Sequence, residues 1–349
     1  MPYKMVEPTR VNFTGLLTTR EVEELLADPE IDTLQFDCPV DPGNWPTLEA
    51  GLFSSRPDVA LRAYGHYRQT CDLSFLSELP SLQRFLADCL TKATRVDAIC
   101  SLTNLRELSI GVFELTSFDF LHAISDKIET LRLDETRSRR PQLDALPRFV
   151  HLRSLLVSGH TKELHRVADL PSLEKLRLTR LESPDLCFLE SVPRLWWLEF
   201  ILGGSDDLSA IAGIDNLKYL EIDWVRGLGD LGFISRCVNL QRLVFGRLKQ
   251  LRRLPDLRPL RRLRALSLCT LRSLESVDPI EGAPALEWFV FGDASNLQPE
   301  DFRRALQAPS LKRATVGFGS DRRNRLFEQI AAEYGIQTEV EYQGFQFRQ

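Results

Sequence analysis

Two tripeptides, Trp197-Leu198-Glu199 and Tyr219-Leu220-Glu221, share one grammar across 22 residues: aromatic, leucine, carboxylate. In an extended chain the ring and the carboxylate of each point to one face and the leucine to the other. The same spacing sets Lys175 and Arg177 one step before them and Arg242 one step after, with Asp223 beyond Glu221. Side by side, Glu199 and Glu221 approach the ~5 Å separation of a retaining glycosidase pair, so a carboxylate-dependent hydrolase is one reading. No neighbour is placed to drive their pKa values apart, which favours an acidic binding patch instead. Two aromatics among three cations and three carboxylates have the composition of a protein-binding hot spot. The same residues also admit a self-contained ladder, with Lys175 and Arg242 over the rings and Arg177 paired to Glu199.

A second concentration of chemistry is basic. Arg247, Lys249, Arg252, Arg253, Arg258, Arg261, Arg262, Arg264 and Arg272 face a single acid, Asp256, within their own stretch. Such a stripe suits phosphate groups or an acidic partner, which makes a nucleic-acid or phosphorylated-partner binder the alternative function. The stripe has no interleaved aromatics for base stacking, so a solvated outer face is the plainer account. A shorter basic loop with Arg137, Arg139 and Arg140 has the same two readings. The histidines are His66, His122, His151, His160 and His165. His160 and His165 flank a short loop, but with no third ligand at metal spacing, no metal site is expected. There is no phosphate-binding loop, no GxSxG and no dinucleotide fingerprint, so neither a catalytic residue nor a cofactor is expected.

These side chains need elements that hold them in line. Leu195, Leu198 and Phe200 point one way in an extended segment, and Leu217, Leu220 and Ile222 repeat the pattern. Between them Leu208, Ile211, Ile214 and Leu217 are spaced by three, which suits a 3₁₀-like return. Such a unit cannot bury its own apolar side and must stack on copies of itself. The middle leucine, or its substitute, recurs at Leu61, Phe85, Leu108, Leu131, Leu155, Leu176, Leu198, Leu220, Leu243, Leu266, Phe289 and Ala314, in steps of 21 to 25 residues. Leu34 begins the series one longer step earlier. Over about residues 30 to 318 the chain resembles the leucine-rich repeat proteins, in the internalin-like class with 22–23-residue repeats. The resemblance implies an α/β solenoid, curved, with a parallel β-sheet on the concave face and short helices, 3₁₀ turns or loops on the convex face. Lys175, Trp197, Tyr219 and Arg242 then line the concave face, beside Arg177, Glu199, Glu221 and Asp223. One departure stands out. The asparagine expected five residues after each middle leucine is replaced by Leu90, Phe113, Thr136, His160, Leu181, Gly203, Val225, Leu248, Leu271 and Ala294. Loop backbone groups must then be satisfied by neighbouring loops or water.

Residues 1–55 are expected to form an N-terminal cap, with a helix capped at Thr19 and stopped before Pro29, and a first strand at IDTLQFD. Residues 56–318 hold the repeats. Residues 319–349 form a C-terminal cap, a helix ending at Gly335 followed by a strand over IQTEVEYQ. A solenoid grows in one dimension, so all three belong to one continuous structural domain. The net charge of −5 argues against a general polyanion binder. No run of 18 apolar residues suggests a membrane span, and the first residues lack a signal-peptide core. Seven cysteines with no CxxC spacing read as reduced, packed thiols, which fits a cytoplasmic protein. The leading expectation is a non-enzymatic protein-recognition scaffold, a monomer when unbound, that binds a partner protein through its concave face and contacts neither nucleic acid nor membrane. A bacterial inhibitor or immunity-type protein is the narrower version.

Overall fold

The computed structural model describes residues 2–65, 69–338 and 345–348. The chain falls into two compact units, Met1–Leu173 and Glu174–Gln349. In the first, β1 (Tyr3–Glu7) and β2 (Arg10–Phe13) form an antiparallel pair. From β2 onward every pairing is parallel: β3 (Thr33–Phe36) and β4 (Ala60–Tyr64) lead to β6 (Arg84–Leu90), β8 (Glu107–Val112), β9 (Thr130–Leu133) and β10 (Ser154–Ser158). Two short strands, β5 (Cys71–Asp72) and β7 (Ala93–Thr94), pair separately. Helix α1 (Thr19–Ala27) is followed by the short α2 (Asn44–Leu48). The cap of α1 is Thr18, not Thr19: Thr18 accepts from the Glu21 N–H and the Glu21 carboxylate accepts from the Thr18 N–H, a reciprocal pair one residue earlier than expected. Phe13, Phe36, Trp45 and Phe75 close this end with ring contacts of 4.2–6.3 Å.

The second unit carries β11 (Lys175–Thr179), β12 (Trp197–Ile201), β13 (Tyr219–Asp223), β14 (Arg242–Gly246), β15 (Ala265–Cys269), β16 (Trp288–Gly292) and β17 (Arg313–Val316), all parallel and in register. Leu176, Leu198, Leu220, Leu243, Leu266, Phe289 and Ala314 stack in the core at 0–1% exposure. The chain returns through 3₁₀ turns such as Ser209–Gly213 and Gly232–Arg236, which bury Ile211 and Ile234 as the three-residue spacing requires. Helix α3 (Asp321–Glu333) packs Phe327 on Phe302 and Phe318 and ends before Gly335, whose φ of +71° suits a residue without Cβ. Gln337 bridges to Arg313, but 339–343 of the expected last strand, like His66, lie outside the described residues.

The asparagine positions are rebuilt in two ways. In the second unit, one residue before each, the chain turns left-handed: Arg180, Leu202, Trp224, Arg247, Thr270 and Asp293 have φ between +51° and +59°. The N–H of each of the first five reaches a carbonyl of the following repeat, as from Leu202 to Asp223 (3.0 Å), Trp224 to Gly246 (2.9 Å) and Thr270 to Gly292 (2.8 Å), while at the sixth it is the Ala294 N–H that reaches Gly317 O (2.8 Å). The next residue is then free to turn inward, and Leu181, Val225, Leu248, Leu271 and Ala294 are buried. Asparagine instead serves the turn that enters the strand. The Asn216 amide donates to Pro193 O and that of Asn239 to Asp215 O, both at 2.7 Å.

The cysteines need a correction. Cys71 and Cys237 are buried, but Cys89, Cys187 and Cys269 are exposed rather than packed. Cys269 stands at the solvent-facing end of β15, where side-chain alternation turns it away from the core.

Candidate protein-recognition face

Parallel register carries the sequence spacing directly into geometry. Lys175, Trp197, Tyr219 and Arg242 are consecutive partners on β11 to β14, and Arg177, Glu199 and Glu221 are partners two residues further along. Both rows project from the sheet face opposite the leucine core. Trp197 and Tyr219 stack with centroids 3.6 Å apart and planes 12° apart. Each ring donates to the carboxylate two residues ahead on its own strand: Trp197 Nε1 to Glu199 Oε1 at 2.7 Å, and Tyr219 OH to Glu221 Oε2 at 2.6 Å. Lys175 Nζ lies 5.4 Å from the Trp196 ring and 5.5 Å from the Trp197 ring, and the Arg242 guanidinium lies 5.7 Å from the Tyr219 ring. Arg177 pairs with Glu199, and Arg247 with Asp223 while it also covers Trp224 at 4.8 Å.

The eight residues singled out from sequence therefore meet, but not as an open surface. Tyr219 is 5%, Glu199 4% and Asp223 7% exposed, while Trp197 and Glu221 are half-buried. The exposed aromatic pair expected from the spacing is corrected to a covered one. The cover comes from Phe347, whose ring centroid lies 5.2 Å from Trp196, 5.8 Å from Trp197 and 6.3 Å from Tyr219. Burial pushes the Tyr219 phenol well above its ordinary range, and the Glu221 hydrogen bond and charge push the same way. Burial also raises the Glu221 carboxyl, and the nearby Glu199 and Asp223 charges add to it against the lowering effect of the Tyr219 hydroxyl.

Glu199 is poorly set for hydrolysis, since one oxygen is held by Arg177 and the other by Trp197. An attacking or proton-donating carboxylate needs a free, approachable oxygen.

The basic stripe is dispersed. Residues 247–272 travel once around a repeat, so neighbours in sequence point in different directions, and acids from adjacent repeats meet them. Arg252 and Arg253 contact Glu275, Arg258 contacts Asp256, Arg264 contacts Glu287, and Arg272 contacts Asp293. The single-acid picture read from the stretch alone is therefore corrected. Lys249, Arg261 and Arg262 have no ion-pair partner among the described residues. Arg261 and Arg262 line a cavity of about 410 Å³ with Arg264, Arg348, Gln241 and Glu287.

In the first unit, Arg137, Arg139 and Arg140 are exposed. His160 is buried, shares a hydrogen bond with the Asp134 carbonyl at 3.1 Å and packs against Phe118. Burial lowers its pKa. His165 turns instead to Glu163 at 3.6 Å, and His122 to Asp144 at 3.3 Å. No cluster of three metal-ligating side chains occurs among the described residues, and no helix there is long and apolar enough to cross a membrane.

Three participants were missed from sequence: Trp196, Gln241 and the Phe345–Arg348 segment. Trp196 and Gln241 each sit two residues before a middle leucine, where the chain enters the strand. That column, Glu174, Trp196, Lys218, Gln241, Arg264, Glu287 and Lys312, was the signal available. The only local hint for the segment was the alternation in Phe345-Gln346-Phe347.

No family profile matches this sequence, and no curated protein matches it. Solved structures do. An internalin (inlF) from Listeria monocytogenes superposes with a TM-score of 0.60 at 18% identity, covering 94% of this chain and 90% of the other. The functional domain of InlJ from Listeria monocytogenes, described with a cysteine ladder, gives 0.49 at 14% identity over 88% and 68% of the two chains. An LRR protein from Leptospira interrogans gives 0.38 at 13% identity over 93% of each. Repeat period, parallel register and the inlF superposition agree that the chain has the leucine-rich repeat fold, of the internalin-like kind.

Proposed function

We propose that the protein is a non-catalytic, cytoplasmic protein-recognition scaffold whose partner seats on the sheet face of the second unit opposite the leucine core, over β11 to β14. The observation that carries this is the Trp197–Tyr219 stack with its pre-set carboxylates and cations. Rigid aromatics whose polar tips are already satisfied lose little freedom on binding, which is what a recognition hot spot needs. Glu221, with a half-buried carboxyl held by a tyrosine hydroxyl, offers a seat for a basic group of the partner. Seven cysteines without CxxC spacing fit that compartment. A bacterial inhibitor or immunity-type role is the narrower form, in which the partner is a toxin or enzyme masked by this face.

The test is an affinity capture from the source cell lysate, comparing wild type with a folded Trp197→Ala, Tyr219→Ala double variant at low and high salt. A stoichiometric protein retained by wild type and lost from the variant is the expected result. Retention by both equally would remove the reading. A second reading rests on the 410 Å³ cavity with its four arginines, which suits a phosphorylated partner or nucleic acid. That complex would release steeply with salt and survive the double substitution.

A further inference from the structure

The Phe345–Arg348 segment lies on the open face of the second unit, and its contacts have the character of a bound peptide. Gln241, 2% exposed, spends both ends of its amide on the segment's main chain. Its Nε2 donates to Arg348 O at 2.6 Å and its Oε1 accepts from Arg348 N at 2.7 Å. This is how one strand edge meets another, and it reads backbone rather than side chain. The Arg264 guanidinium adds a second main-chain contact, to Gln346 O at 2.9 Å, while Gln346 itself is exposed. Side chains are read at the alternate positions. Phe345 stands edge-on to Trp288 at 6.0 Å and under the Arg264 guanidinium at 5.2 Å. Phe347 stands edge-on to Trp196 and Trp197, and the Arg348 guanidinium lies 3.4 Å from Glu287.

We propose that this surface is a binding site for an extended segment of a partner protein with the pattern aromatic, any residue, aromatic, arginine, and that Phe345–Arg348 is an internal stand-in for it. The partner's segment displaces the internal one and takes over the Gln241 pairing and the two aromatic seats. Cavities of about 510 Å³ and 410 Å³ both border Arg348, so the site has room for larger side chains than the stand-in supplies. The inference rests on the recognition reading given above and names the chemistry of its partner.

The probe is a labelled synthetic peptide, Gly-Phe-Gln-Phe-Arg-Gln, titrated against the full chain and followed by fluorescence anisotropy. In wild type the internal segment competes at a millimolar effective concentration, so a Phe345→Ala, Phe347→Ala double variant should bind the peptide at least about tenfold tighter. Adding Gln241→Ala to that variant should abolish binding. Equal affinity for wild type and the double variant, or equal binding of a control peptide with both phenylalanines changed to alanine, overturns the proposal. A second measurement needs no substitution. Peptide at several millimolar should speed hydrogen exchange of the Arg348 amide in the unmodified chain, and unchanged exchange overturns the proposal as well. The two readings fail separately. A captured partner with no peptide binding removes only the stand-in, whereas peptide binding with no captured partner removes the wider function and leaves the site's chemistry.

Discussion

At the scale of single residues, the alternation along each strand separates two kinds of cost. Leu220 is fully buried between Leu198 and Leu243, so Leu220→Ala should lower unfolding free energy by about 2–5 kcal/mol in a denaturant titration. A loss near zero would mean the core register is wrong. Glu221 and His160 respond to pH in opposite directions. The Glu221 carboxyl has a raised folded pKa, so its penalty is absent below the unfolded carboxylate range and sets in as pH rises through the folded value. Glu221→Gln keeps an acceptor for the Tyr219 hydroxyl and should raise the thermal midpoint at pH 7, with the gain shrinking as the solution is acidified. His160 has a lowered folded pKa, so its contribution is complete above the unfolded value of about 6.5 and is lost as pH falls below it. His160→Gln should flatten the fall in midpoint between pH 7 and pH 5. The pairing of Trp197 with Tyr219 was legible in sequence because period two fixes the face and 22 residues fix the neighbour. Their burial was not, because Phe347 arrives from far along the chain, and no local pattern reports a contact of that span.

At the scale of the repeat, the left-handed residue after strands β11 to β16 is the feature that generic periodicity did not announce. The missing asparagines implied that loop groups bond to neighbouring loops or to water, and bonds across repeats are what form. The form this takes, an inward apolar residue after a left-handed turn, depends on backbone angles that residue types such as Leu202, Trp224 and Thr270 do not advertise. A β-branched side chain is least at ease there. Thr270, at φ +51°, should therefore gain about 1 kcal/mol on replacement by glycine, seen as a higher midpoint in thermal unfolding. A lower midpoint would show that the Thr270 side chain contributes more than its backbone strain costs. Helix α1 was legible from the threonine before it and the stop before Pro29. Its cap was displaced by one because the Thr18-x-x-Glu21 spacing, which Thr19 with Val22 three residues on lacks, was passed over.

At the scale of the molecule, the basic stretch is spread out and largely paired. A stretch of basic residues in a coil is spread around its circumference, and acids 20 or more residues away close the pairs, as Glu287 does for Arg264. With a net charge of −5 and most of the stripe neutralised, duplex DNA should bind weakly at 50 mM salt and be released by about 200 mM. Tight binding at 50 mM salt that falls steeply as salt rises, in a filter-binding assay, would move the function to Arg261 and Arg262. The ring cluster on the open face has an optical consequence. Trp196 and Trp197 stand 88° apart with centroids separated by 5.6 Å, close enough for their indole transitions to couple. Coupled, crossed chromophores absorb left and right circularly polarised light unequally, with paired signs at the strong indole band of the far ultraviolet. Since Phe347 touches both indoles, whatever replaces it will reshape that signal, and the unlabelled protein reports in its own spectrum which guest lies on the face.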